Sequence, residues 1–148
     1  MITAKNLATL ATIFLSGVIQ FTMAQSMEHS ESDLNGVRGT IDNYFIGTTN
    51  GDLDALKEAF HQDCRIYSIP ESGELTYLDQ PSFHSVVLAN YKKDKRKNQI
   101  LFLDITGNTA FAKTRADYSQ FAFLDYLTLL KIDGKWKIVS KSTFNLAK

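Results

Sequence analysis

The sequence predicts a single α+β domain, with helices toward its N-terminus and an antiparallel meander toward its C-terminus. Three observations predict it. Apolar residues recur at spacings of three and four between Leu34 and Phe60, as on one face of a helix. After Gln99 the runs alternate or are rich in β-branched and aromatic residues, as strands are. The dipeptides Gly107-Asn108 and Asp133-Gly134 separate those runs, and Asp-Gly between apolar strands is a strong two-residue hairpin signal. A length of 148 residues suits one domain and is short for two.

Each element follows in order. Residues 1–24 carry one lysine in "MITAK", a short apolar run, and small residues ending at Ala24. These are the marks of a secretory signal peptide, and they predict an exported protein, secreted or periplasmic. An uncleaved anchor is the alternative. Residues 25–33 read as a polar, disordered leader, and the folded domain is expected over 34–146. Leu34, Val37, Ile41, Tyr44, Phe45 and Thr48 form the stripe of a first helix, which its glycines weaken and "NGD" at 50–52 stops. Asp52 caps a second, short helix that presents Leu53, Leu56, Ala59 and Phe60. A strand is predicted near 64–69, a turn at "PESGE", and a returning strand at "LTYL". Asp79 or Ser82 caps a third helix, with Pro81 in its first turn and Phe83, Val86, Val87, Asn90 and Tyr91 following. The charge run "KKDKRKN" at 92–98 lacks interleaved aromatics and reads as a solvated loop.

Composition narrows the function classes. Formal net charge is zero, so nothing electrostatic favours nucleic acid or an anionic membrane as a partner. The single cysteine, Cys64, excludes an internal disulfide and is expected to be a buried small hydrophobe. His29, His61 and His84 share no metal-ligand spacing, so neither a metal nor a cofactor is expected.

The hairpin registers place the candidate site. An unbroken two-residue turn at Asp133-Gly134 pairs Leu129 with Ile138, Leu127 with Ser140, Asp125 with Ser142 and Phe123 with Phe144. Paired and alternate residues share a face, so Asp125, Ser140 and Ser142 join Leu127, Leu129, Trp136 and Ile138 on an inner wall. The turn at Gly107-Asn108 groups Leu101, Leu103, Ile105, Ala110, Ala112, Thr114 and Ala116, and a two-residue turn at Ser119-Gln120 adds that group to the wall. Thr114, Asp125 and Ser142 then form a polar row among apolar groups, and a bulge would break it. The small alanines leave space that a helix fills or that forms a pocket. Lys135, Lys137 and Lys141 fall on the opposite, solvated face.

A carboxylate on an apolar wall must be paired, hydrogen-bonded, protonated or wet. Asp125 is therefore either a ligand anchor or catalytic base with a raised pKa, or a structural acceptor for Ser142, Thr114 or backbone. His61 and Asp63 either flank a cavity mouth or satisfy a helix end. Tyr44 and Tyr67 either turn hydroxyls into a pocket or belong to the core.

Three segments, "IDNYFIGTTNGDLDALKEAFHQDCRIY", "ILFLDITGNTAFAKTRADY" and "DYLTLLKIDGKWKIVSK", resemble the putative lumazine-binding family of the nuclear transport factor 2-like, or SnoaL-like, superfamily. The resemblance covers about residues 35 to 144. It implies a cone-shaped curved antiparallel sheet wrapped around three helices, in the manner of a cystatin-like α+β barrel, with a cavity inside. It also implies homodimerisation through the outer sheet face, which here carries Tyr126, Thr128, Leu130 and Val139. The function expected is binding of a small apolar or mixed-polarity ligand, with no membrane partner once the signal segment is cleaved. Thr114, Asp125, Ser140 and Ser142 would supply polar contacts, with Tyr44 and His61 near the opening. The superfamily also contains cofactor-free isomerases and dehydratases, which would use Asp125 as base, and non-catalytic dimeric modules.

Overall fold

The computed structural model describes residues 31–90 and 96–148. The expectations placed on residues 1–24, on 25–30, on Tyr91 and on most of the 92–98 charge run lie outside the described residues. The chain divides into two units at the Asn35–Gly36 step. In the first, residues 31–35 are helical, so 31–33 are ordered helix where a polar leader was expected. The rest concerns the second unit, Gly36–Lys148.

Helix α1 occupies 36–50 of this unit and buries Val37, Ile41 and Tyr44, three of the expected stripe positions. It stops at Gly51, whose φ of 67° is the left-handed conformation that glycine adopts without penalty. The Asp52 carboxylate then accepts from the backbone N–H groups of Asp54 and Ala55, both at 3.0 Å, and caps α2, Leu53–Ala59. Strand β1 (Phe60–Ser68) begins four residues before the expected start at Cys64. Strand β2 (Thr76–Asp79) returns antiparallel to it. Asp79 Oδ1 accepts from the Ser82 N–H at 2.9 Å and caps α3, Gln80–Asn90. The meander follows as β3 (Lys97–Thr106), β4 (Thr109–Asp117), β5 (Phe121–Ile132) and β6 (Lys135–Ala147).

The six strands form one curved, unclosed sheet in the order β2-β1-β6-β5-β4-β3. Every pairing is antiparallel except β1 with β6, which is parallel. One sheet face supplies Ala110, Ala112, Leu127, Leu129, Trp136 and Ile138 to a core shared with Val37, Ile41 and Tyr44 of α1, Leu56 and Ala59 of α2, and Phe83 of α3. The alanine-lined space is thus packed core. Side chains also tie the layers together. Thr40 Oγ1 donates to the Trp136 carbonyl at 2.9 Å. Lys137 Nζ donates to the Lys57 and Glu58 carbonyls at the α2 C-terminus, where a cation complements the helix dipole.

Two bulges correct the expected registers. In β3 the pairing slips between Ile100 and Phe102, so Leu101 turns out to solvent at 48% exposure while Ile100 packs against the core. In β6 Val139 is left without a partner: Leu129 pairs with Ile138, but Thr128 pairs with Ser140. From there every β6 side chain sits on the opposite face from the unbroken register. Asp125 faces Thr143 instead of Ser142, Leu127 faces Lys141 instead of Ser140, and Phe123 faces Asn145 instead of Phe144. Lys141, expected on the solvated face, is buried, and Phe144, expected inside, is 59% exposed. The expected pairing of Thr114 with Asp125 is present.

Two glycines of α1 permit close packing. A Cβ at Gly36 would lie 2.7 Å from Trp136 Cδ1, and one at Gly47 would lie 2.6 Å from Leu56 Cγ and 3.0 Å from its backbone nitrogen. A Cβ at Gly39 would meet nothing within 4 Å. Gly39→Ala should therefore stabilise the protein by up to about 1 kcal/mol through helix propensity alone. Gly47→Ala should lose about 1–3 kcal/mol to overpacking, offset in part by the same propensity gain. Urea titration of the two variants checks this; equal effects of one sign would contradict the packing described.

Candidate functional site

The side chains that the β6 bulge turns inward meet Asp125. Its carboxylate, 1% exposed, accepts from Lys141 Nζ at 2.6 Å and Thr143 Oγ1 at 2.7 Å on Oδ1, and from the Tyr44 hydroxyl at 2.6 Å on Oδ2. Lys141 Nζ also contacts Thr143 Oγ1 at 2.5 Å. It lies 5.6 Å from the ring centres of Tyr44 and Phe83, a cation–π position on both. Thr143 is the direct cross-strand partner of Asp125, while Lys141 is its diagonal neighbour on the same face, within reach of a long side chain. Tyr44 arrives from α1.

Burial pushes the Asp125 carboxyl up, but the Lys141 charge and the hydrogen bonds from Lys141, Tyr44 and Thr143 outweigh it and hold the group below its ordinary value. The expectation of a raised pKa is corrected: this carboxylate is ionised and engaged by three donors. Burial, and then the neighbouring Asp125 charge and hydrogen bond, raise the Tyr44 phenol well above its usual range, so it remains a proton donor. Burial pushes the Cys64 thiol up to about 12, as expected of an inert core cysteine.

Lys141 and Thr143 also form part of the wall of a cavity of about 690 Å³, within the size range of small-molecule sites. Ile66 and Leu78 of β1 and β2, Phe83, Val86 and Val87 of α3, and Phe121 and Phe123 of β5 give it an apolar lining. Asn145 and Asn90 add neutral polar groups, and Thr48, Tyr118 and Arg96 line another part. Arg96 Nε donates to Thr49 Oγ1 at 2.9 Å, Nη1 to the Tyr118 hydroxyl at 2.5 Å, and Nη2 to the Phe45 carbonyl at 3.2 Å and to Thr48 Oγ1. These acceptors are all neutral. Among the described residues no carboxylate pairs with Arg96, whereas Asp125 balances Lys141. Among the described residues, the charged side chains on the cavity wall are Arg96 and Lys141, both cationic.

None of the six residues singled out in the sequence lies on that wall. Asp125 and Tyr44 stand immediately behind it, bonded to Lys141 and to each other. Thr114 is fully buried across from Asp125, and among the described residues its hydroxyl has no hydrogen-bond partner. Ser140 and Ser142 alternate with the inward Lys141 and so face the other way. His61 is in β1, where its Nδ1 accepts from the Asp63 N–H at 3.2 Å, a local arrangement away from the cavity wall. The residues missed are Lys141, Thr143 and Arg96. A signal existed for the first: a cation is one of the few partners that satisfies a buried carboxylate, and β6 offers lysines one position off the unbroken register.

Known proteins bear on this geometry. Residues 32–144 match the sequence profile of the family described as putative lumazine-binding. A protein of a Cladobotryum species named aldolase FrzH is 31% identical over 130 residues, which cover 80% of this chain and 94% of that protein. A nuclear transport factor 2-like protein of unknown function from Shewanella baltica OS155 superposes with a TM-score of 0.74 at 25% identity, covering 78% of this chain and 95% of that one. A second such protein, from Methylobacillus flagellatus KT, gives a TM-score of 0.69 at 27% identity, covering 78% and 93%.

The buried pair generates a stability prediction. Asp125→Asn or Lys141→Met alone leaves one partner's cradle unmatched and should cost about 3–5 kcal/mol, while the double variant should recover most of that loss. Because the folded Asp125 carboxyl titrates below its unfolded value, its stabilisation is complete above pH ~4 and is lost as pH falls through the folded value. Denaturation curves collected between neutral and acid pH should show a steeper acid loss in the wild type than in the double variant. Parallel curves would contradict an ionised, paired Asp125.

Proposed function

Because the chain belongs to the putative lumazine-binding family of nuclear transport factor 2-like folds, we propose that its cavity binds a small organic anion with an apolar, ring-containing body. The carrying observation is the charge of the wall: among the described residues it has two cationic side chains and no acidic one, with aromatic and aliphatic surface beside them. Arg96 would take the anionic group, since its own partners are neutral and its charge is not balanced among the described residues. Lys141 and Thr143 would take a second oxygen. Phe121, Phe123 and Val87 would cover the apolar body, whose burial contributes at roughly 25 cal/mol per Å².

A matched pair of probes tests this reading. 3-Phenylpropionate and its neutral amide differ only in charge. Calorimetric titration should show the anion binding about tenfold more tightly, a preference of ~1.4 kcal/mol, and Arg96→Gln should remove the preference. Equal affinities in the wild type would refute the anion reading, and no binding of either would refute the pocket.

Catalysis on a carbonyl compound is the second reading, favoured by the relative named an aldolase. Direct proton abstraction from a substrate by Asp125 is not favoured, because the carboxylate stands behind the wall, bonded to Lys141.

We also propose a homodimer through the outer sheet face. Phe102, Phe111 and Tyr126 lie in a row across β3, β4 and β5, all more than a third exposed, with ring centres 6.4 and 5.9 Å apart. Exposed contiguous aromatic surface of this kind marks an interaction site. Light scattering at micromolar concentration should give twice the chain mass, and Phe111→Glu should return the monomer; a monomeric wild type would refute the proposal.

A further inference from the structure

We propose that Lys141 is an amine nucleophile that condenses with the ketone or aldehyde carbonyl of an oxo acid held in the cavity, forming a Schiff base. The inference rests on the reading that the cavity accepts an organic anion and adds the covalent step and the residue.

Lys141 combines two properties that a surface lysine lacks. Its side chain is 5% exposed, yet it forms part of the wall of an open 690 Å³ cavity. Rings of Tyr44 and Phe83 flank the ammonium, and Ile66 is its neighbour on β1. Asp125, 2.6 Å from Nζ, is placed to take a proton from it, and an adjacent base is one way a lysine becomes a nucleophile. An ammonium has three N–H groups. Asp125 Oδ1 and Thr143 Oγ1 take two, and no described protein group accepts the third, so it is available to a carbonyl oxygen in the cavity. Arg96 supplies the second anchor, for the carboxylate of the same molecule.

The cluster can run the condensation without a net change of charge. Asp125 Oδ1, 2.6 Å from Nζ, takes one proton and frees the nitrogen lone pair. That pair forms the C–N bond while the carbonyl π pair moves to oxygen, which receives a second proton from the nitrogen through the Thr143 hydroxyl. Asp125 then returns its proton to the carbinolamine hydroxyl. The C–O bond breaks, water leaves, and the nitrogen lone pair closes the iminium. The sum is ammonium plus carbonyl giving iminium plus water, with no oxidant or reductant. Asp125 is an anion facing a cation both before and after.

The test uses the full chain with phenylpyruvate, an aromatic oxo acid, and sodium cyanoborohydride to trap the imine. Intact mass and peptide mapping should find one reduced adduct per chain at Lys141, formed about tenfold faster than at any other lysine. 3-Phenylpropionate, which lacks the carbonyl, should protect Lys141 from trapping. Lys141→Arg should bind phenylpyruvate by calorimetry and give no such adduct, and Thr143→Val should slow trapping while binding persists. Should phenylpyruvate bind while Lys141 is trapped no faster than surface lysines, the nucleophile is refuted and the pocket stands. Should phenylpyruvate not bind at all, the pocket reading falls and this inference falls with it.

Discussion

The ion pair between Asp125 and Lys141 is the constraint on which the interior depends. An ionised carboxylate taken from water into an apolar core costs several kcal/mol, and only a matched cation with further hydrogen bonds offsets that cost. β5 commits Asp125 to the inner face by its alternation with Leu127 and Leu129, both fully buried. The cation then has to come from β6, and an unbroken β6 would turn Ser142 inward and Lys141 out. One extra residue at Val139 resolves this. The same bulge sends Phe144 to solvent and brings Asn145 to the cavity wall. A single register shift therefore satisfies the carboxylate and removes a phenyl ring from space that would otherwise be filled.

The helices do the complementary work of holding the other groups. α1 delivers the Tyr44 hydroxyl to Asp125 and, one turn on, Thr48 to Arg96, so one helix touches both cationic side chains' networks. Its position is set by contacts closer than a Cβ permits: Gly36 against Trp136 and Gly47 against Leu56. Residues that look like weaknesses of a helix are, at two positions, conditions of its docking. Gly39, with no neighbour within 4 Å, has no such reason. α3 completes the enclosure with Phe83, which contacts both the core and the Lys141 ammonium.

This division explains what could be read in the sequence and what could not. Element order, the Asp52 cap and the two hairpin turns were legible, because each rests on local chemistry: a stripe, a cap, a dipeptide. The third helix's cap was narrowed to Asp79 or Ser82, and the family was legible from the resemblance of three segments. The inward direction of Asp125 was legible from alternation, and so was its pairing with Thr114. The bulge was not, because "KIVSKS" alternates no differently from an unbroken strand, and Val139 is an ordinary strand residue. Lys141 thus read as solvated and Ser142 as buried, each the inverse of its place. Arg96 was hidden by its setting in a charge run, where only tertiary contacts distinguish it from its neighbours. The electrostatic demand of Asp125 was the overlooked clue. When an acid is placed on an apolar wall, the register that supplies a cation should outrank the one that supplies a hydroxyl.

The two cations of the cavity are not equivalent, and that inequality orders any ligand within it. Lys141 is already balanced by Asp125, so a second anion there would meet a site near neutrality. What Lys141 offers is a hydrogen-bond donor of high polarity in poor solvent, suited to a carbonyl oxygen that carries only partial charge. Among the described residues, Arg96 is held by hydroxyls and a carbonyl, which orient the guanidinium without neutralising it. A full negative charge gains most there. A molecule that carries both a carboxylate and a ketone or aldehyde carbonyl matches both groups in that orientation alone. The reverse placement would leave Arg96 facing a weak acceptor and would crowd two carboxylates around one ammonium. Like-charge repulsion in a low-dielectric site opposes that arrangement strongly. The polarity of the cavity thus follows from the same fact as its fold: Asp125 is spoken for by Lys141, and among the described residues no carboxylate engages Arg96.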